Sequence, residues 1–196
     1  MEPFKKISSI ATPLDKVNVD TDQMVPKQFL KLIQKTGFGQ YLFYDWRYES
    51  DGTPRKDFVL NDPKYKGSKI LLTRNNFGCG SSREHAAWAL LDFGFRVVIS
   101  TSFADIFYNN CFKNGILPIT INEQMLQKLF ESKSEIEIDL EKQTIKTDHV
   151  SVSFHIEPHW KKILLEGLDD IAVTLKYDDK ISKYETAHEI SNPRVS

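Results

Sequence analysis

Two short stretches hold most of the side chains that could do chemistry. In one, Gly78, Cys79, Gly80, Ser81, Ser82, Arg83, Glu84 and His85 run between an apolar segment and an amphipathic one. Glycines there allow a tight turn that approaches a ligand closely. Serine hydroxyls can take up or give up a proton, and an arginine fork grips a carboxylate with two parallel bonds. A glycine loop leading into a helix N-terminus is also a place where anions bind. In the other stretch Asp20 and Asp22 flank Thr21. That spacing can bind a divalent metal, although no EF-hand-type loop follows it.

Each group has a plainer reading. Ser81 and Glu84 have the Ser-x-x-Glu spacing of a capping box, which stabilises a helix by about 1 kcal/mol. Ser82 could take the cap instead, leaving Ser81 in the positive potential of the helix end, where an alkoxide costs less. Arg83 could be a solvated surface charge. His85, one turn beyond Ser81 on such a helix, would form a nucleophilic pair only with an orienting third group and an oxyanion hole. Neither is evident, so a buried, hydrogen-bonding His85 bracing the loop is favoured. Asp20 and Asp22 could simply cap a turn. The loop lacks both the third glycine of a dinucleotide fingerprint and the Gly-Lys-Ser/Thr ending of a Walker loop, which argues against nucleotide binding. His149, His155, His159 and His188 have no metal-ligand spacing.

The surrounding pattern says what must position these groups. Ile70-Leu71-Leu72-Thr73 reads as a buried strand, with Ala86, Ala87, Leu90 and Leu91 on the core face of the helix after the loop. Residues 96–100 and 116–121 read as strands and 103–114 as a helix with Gly115 at its C-terminal end. Residues 69–121 are thus β-α-β-α-β, which implies a parallel sheet with crossover helices. Residues 4–19 alternate enough for one or two strands, and 27–36 have helical spacing through Phe29, Leu30 and Ile33. Residues 40–48 are crowded with aromatics. Residues 122–132 suit a helix starting at Asn122. The period then becomes two through Ile136, Ile138, Leu140, Ile145, Val150, Val152 and Phe154, which predicts antiparallel strands. Residues 158–177 read as helical, and a polar helix near 180–188 leads into the tail. The expected organisation is one domain over 1–196, with C-terminal helices and tail from about residue 158.

Composition narrows the function classes. The 196 residues are 40% hydrophobic and 27% charged with a net charge of −1, so no global field favours nucleic acid or an anionic membrane. No apolar run has the roughly 18 residues of a membrane span, and the N-terminus lacks a signal-peptide core. Cys79 and Cys111 are the two cysteines, which predicts a reducing, cytoplasmic setting. Two thiols are too few to ligate a cubane iron–sulfur cluster.

Residues 76–90 (NFGCGSSREHAAWAL) resemble the signature loop of the swivelling domain in the aconitase superfamily. Residues 18–26 (NVDTDQMVP) and 102–119 (SFADIFYNNCFKNGILPI) agree in order and spacing, and Gly167-Leu168-Asp169-Asp170-Ile171 is similar to the bacterial form. Over about residues 1–190 the chain resembles the isopropylmalate dehydratase small-subunit family. The resemblance implies a β/β/α fold and a two-chain hydro-lyase of leucine biosynthesis. Its large subunit would carry a four-iron four-sulfur cluster on three cysteines, with one iron open to substrate. The substrate would be a hydroxy-dicarboxylate: isopropylmalate, or else 2-methylmalate (citraconate) or a homoaconitate-like acid. Ser81 would be the base, Ser82 and Arg83 would bind substrate carboxylate, and Asp22 would support the active-site hydrogen bonds. The family's second substrate arginine has no evident match, and Lys27 or Lys31 stands in for it. The aromatic segment 38–48 would wall the pocket or meet the large subunit. Two other functions stay open: a non-catalytic carboxylate-binding module, and a stand-alone hydrolase using Ser81 and His85.

Overall fold

A computed structural model describes residues 1–31 and 36–188. The strands are β1 (Lys6–Ser9), β2 (Ala11–Leu14), β3 (Ile70–Thr73), β4 (Val97–Ser100), β5 (Leu117–Thr120), β6 (Ile136–Asp139), β7 (Thr144–Lys146) and β8 (Ser151–Ser153). The helices are α1 (Thr21–Met24), α2 (Tyr44–Arg47), α3 (Glu84–Phe93), α4 (Asp105–Lys113), α5 (Glu123–Glu131), α6 (Pro158–Glu166), α7 (Asp170–Leu175) and α8 (Asp178–Ala187).

Strands β2-β3-β4-β5 form a wholly parallel sheet in chain order, and β1-β6-β7-β8 an antiparallel one. The central strands β3 and β4 are buried along their whole length, so their sequences are continuous apolar runs. Prolines lie only on the edges of the parallel sheet, Pro13 in β2 and Pro118 in β5, where a missing N–H costs no ladder bond. Alternate residues of the sheet face different cores. Leu71 and Val98 pack with Ala86, Ala87, Leu90 and Phe107 of the helical layer. Ile70, Leu72, Val97 and Ile99 pack with Ile136, Ile138 and Ile145 of the antiparallel sheet. The order of layers is therefore helix, parallel sheet, antiparallel sheet, the expected β/β/α arrangement.

Two local expectations need correction. Residues 27–36 do not begin an α-helix: Lys27–Phe29 is a single 3-10 turn, because Phe29 stacks on Tyr41 at 4.1 Å and meets the edge of Tyr44 at 4.9 Å. Ile33 of that stretch lies outside the described residues, as does the tail beyond 188. Residues 158–177 are helical as read, divided into two helices. Gly167 adopts the left-handed conformation that closes α6, and the Asp169 carboxylate accepts from the Ala172 N–H to start α7. The second correction concerns the signature loop itself. Helix α3 begins at Glu84 with Arg83 as its N-cap and no side-chain cap bond, so Ser81 and Glu84 form no capping box and neither serine caps the helix.

Candidate functional site at the carboxyl edge of the parallel sheet

The loops after β2, β3 and β4 emerge at the same edge of the sheet, the carboxyl ends of parallel strands, where open α/β sheets bind ligands. Buried hydroxyls at the strand ends fix these loops. Thr73 Oγ1 donates to the Lys16 carbonyl at 3.2 Å, and Ser100 Oγ to the Arg74 carbonyl at 2.6 Å. Arg74 itself ties the edge together, pairing with Asp15 at 2.5 Å and Glu123 at 2.6 Å and lying over the Phe130 ring.

Beyond Thr73 the chain no longer forms regular sheet, yet it stays paired on both sides. The Asn18 N–H donates to the Asn75 carbonyl at 3.0 Å, that of Gly78 to Val19 at 2.8 Å, and that of Thr21 to Cys79 at 3.0 Å. On the other flank the Phe77 N–H donates to Ser102 at 3.1 Å and that of Ala104 to Phe77 at 3.0 Å. The loop is thus an irregular extension of β3 between its neighbours. Gly78 makes this possible. Its φ is +79°, and a Cβ there would sit 2.1 Å from Phe107 Cγ.

The two aspartates divide the work that sequence left ambiguous. Asp20 is the N-cap of α1 and forms a true capping box. Its carboxylate accepts from the Gln23 N–H at 2.8 Å, and its own N–H donates to Gln23 Oε1 at 3.0 Å. Asp22, in the first turn, instead pairs with Arg83 Nη1 and lies 3.5 Å from Lys27 Nζ. The Arg83 side chain is 15% exposed, the Lys27 side chain 73%. Ser81, Ser82, Arg83 and Thr21 line one cleft of about 210 Å³, closed opposite by Ala104, Asp105, Ile106 and Phe107. Ser81 and Ser82 are exposed, and among the described residues neither hydroxyl has a hydrogen-bond partner.

The structure therefore brings Ser81, Ser82 and Arg83 to one cleft and puts Asp22 behind Arg83. Lys27 reaches the group only through Asp22. The formal charges of Arg83, Lys27, Asp22 and Asp105 cancel, so this chain alone offers no strong well for a dianion. His85 stands apart from the serines. It packs against Phe38 at 5.3 Å and Trp88 at 4.6 Å, and burial holds its imidazole below the usual 6.5. Among the described residues it makes no hydrogen bond to Ser81, so no Ser–His pair is built. Cys79 remains a thiol, with burial and then the Asp20 carboxylate pushing it up. The aromatics Phe38 and Phe43 are fully buried against the helical core and do not line the cleft.

Sequence reading missed Thr21 and the wall at 104–107. The only signal for the latter was that these residues fall within 102–119, one of the stretches that carry the family resemblance. Among the described residues no group of three His, Cys, Asp or Glu side chains is placed to hold a metal ion, and no helix is long and apolar enough to cross a membrane. A larger cleft of about 550 Å³ lies away from this edge, lined by residues 1–7, Lys69 and Arg96 before β3 and β4. Its one well-buried cation, Arg96, is committed to Glu2 and the Gly115 carbonyl.

The chain is similar to known proteins along nearly its full length. The aconitase C-terminal domain matches residues 1–124. The 3-isopropylmalate dehydratase small subunit of Brevibacillus brevis is 56% identical over 191 residues, spanning 94% of this chain and 98% of the relative. That of Xanthobacter autotrophicus is 54% identical over 199 residues, spanning 98% and 99%. The crystal structure of 3-isopropylmalate dehydratase from Methanocaldococcus jannaschii superposes with a TM-score of 0.68 at 27% identity, covering 91% of this chain and 99% of that one. High identity along nearly the full length of each partner places this chain in the aconitase superfamily, as a member of the 3-isopropylmalate dehydratase small-subunit family.

Proposed function

We propose that this chain, paired with an iron–sulfur large subunit, interconverts 2- and 3-isopropylmalate in leucine biosynthesis by removing and returning water. The observation that carries this is the convergence on one cleft of two unpartnered serine hydroxyls and an arginine already oriented by a carboxylate. Ser81 Oγ, as the alkoxide, takes the proton from the carbon next to a carboxylate. The C–H electron pair becomes the second bond of the alkene, and the neighbouring hydroxyl leaves with its own pair. In the return step hydroxide adds to the carbon that lost the proton. Ser81 then gives its proton to the carbon that lost the hydroxyl.

Arg83 binds a substrate carboxylate. With Nη1 held by Asp22, its planar fork is fixed at the cleft before a ligand arrives, which lowers the entropic cost of binding. Ser82 adds a hydroxyl beside it, and Lys27 offsets part of the Asp22 charge. Ile106, 54% exposed beside these polar groups, suits the substrate's alkyl branch together with Ala104 and Phe107. Cys79 and Cys111 give this chain no ligand set for a cubane cluster, and Cys111 is fully buried. The cluster then belongs to the partner. When bound, it supplies a Lewis acid to the departing hydroxyl. The whole chain acts as one swivelling unit over it, in the cytoplasm, where both cysteines stay as thiols.

The test is turnover of isopropylmalate by this chain, by the large subunit and by the two mixed. Activity only in the mixture supports the proposal. Turnover by this chain alone, or none in a mixture whose cluster is intact, overturns it.

A further inference from the structure

Thr21 is 2% exposed and lines the cleft, yet no charge or proton-transfer role falls to it. Its contacts are specific. The backbone N–H donates to the Cys79 carbonyl at 3.0 Å, and the hydroxyl donates to the Ser81 carbonyl at 2.8 Å. The two bonds straddle Gly80, which sits at φ +85° with its Cα 's missing Cβ facing Asp20. Thr21 is itself rigid: it is the first residue of α1, locked by the Asp20–Gln23 capping box, and its branched Cβ restricts the hydroxyl to few rotamers. Ser81 has little else to hold it. It lies outside α3, and among the described residues no second hydrogen bond reaches its main chain.

We propose that Thr21 is a positioning residue: by anchoring the Ser81 carbonyl, its hydroxyl sets the direction of the Ser81 side chain into the cleft. This rests on Ser81 being the base. Fixing the peptide on one side and the left-handed Gly80 on the other leaves the Cα–Cβ bond of Ser81 one orientation. Releasing the carbonyl lets the Oγ wander, and a misplacement on the order of 1 Å costs about 100-fold in rate. Substrate binding through Arg83 would be spared, because Arg83 is held separately by Asp22.

The experiment compares Thr21→Val and Thr21→Ser in the reconstituted two-subunit enzyme, with Ser81→Ala as reference. Valine keeps the shape and loses the donor; serine keeps the donor. We expect Thr21→Val to lower kcat about 10- to 100-fold with KM within about threefold of wild type, and Thr21→Ser to recover most of the loss. Two results overturn the inference: Thr21→Val turning over like wild type while Ser81→Ala is inactive, or valine and serine variants losing kcat equally with a matching fall in melting temperature. An active Ser81→Ala enzyme would remove the base assignment, and this inference with it.

Discussion

Replacing Asp22 with asparagine keeps the shape of the side chain and removes its charge. Asp22 links Arg83 to Lys27, and the two links differ in worth. The Lys27 contact is 3.5 Å long with the lysine 73% exposed, so it contributes at most a few tenths of a kcal/mol, about what exposed pairs give. The Arg83 contact joins a side chain 15% exposed to one 36% exposed, between the exposed and fully buried cases. Its loss should cost about 1–2 kcal/mol of carboxylate binding, a factor of about 5–30. Stability should barely change, because α1 is capped by Asp20 and not by Asp22. In the reconstituted enzyme, followed by substrate consumption, Asp22→Asn should raise KM by that factor. Combined with Arg83→Lys, it should add much less than the sum of the two single effects, a coupling of about 1 kcal/mol or more. Additive effects, or an unchanged KM in Asp22→Asn, would refute the idea that Asp22 works by orienting Arg83.

Other outcomes follow from the same geometry. Asp20→Ala should lose the capping box and about 1 kcal/mol, read as a fall of roughly 2–4 °C in melting temperature, in contrast to Asp22→Asn. Gly78→Ala forces a Cβ into Phe107 and a side chain into positive φ, so it should destabilise by about 2–5 kcal/mol in denaturant titration. Arg74→Ala removes the ties to Asp15 and Glu123 and the packing on Phe130; a loss of about 1–2 kcal/mol that shrinks in high salt is expected. The His85 imidazole is held below its ordinary 6.5 chiefly by burial, so the folded state resists its protonation. Its contribution is present above 6.5 and is lost as pH falls through the depressed folded value. Melting temperature should therefore drop as pH falls below 6.5, less steeply in His85→Gln.

Much of the fold was legible because burial writes a simple pattern. The runs in β3 and β4 are apolar since both faces of a parallel strand are covered, and the alternation from Ile136 onward marks a sheet covered on one face. Gly115 and Asn122 end and begin helices where their chemistry says they should. The errors came from spacings that fit more than one place. Ser81–Glu84 and Asp20–Gln23 both have the interval of a capping box, and only the second is used. The first is overridden because the loop is pulled along residues 18–21 by main-chain pairing, which delays the helix to Glu84. Gly167 and Asp169 carry the stop and start signals that divide the helical stretch 158–177 into α6 and α7. The hydroxyl of Thr21 and the carbonyl of Ser81 lie sixty residues apart in the chain, and nothing local in either stretch announces that they meet. Asp22 and Arg83 were each visible as chemistry, but their pairing depends on the same non-local register.

On the proposed mechanism Ser81 moves the proton. The most direct test of this step is kcat of the reconstituted enzyme carrying Ser81→Ala, with the cluster's visible absorbance and subunit association measured on the same sample. A loss of about 10²- to 10⁴-fold with loading and association intact is the predicted result. Turnover within about threefold of wild type would contradict it.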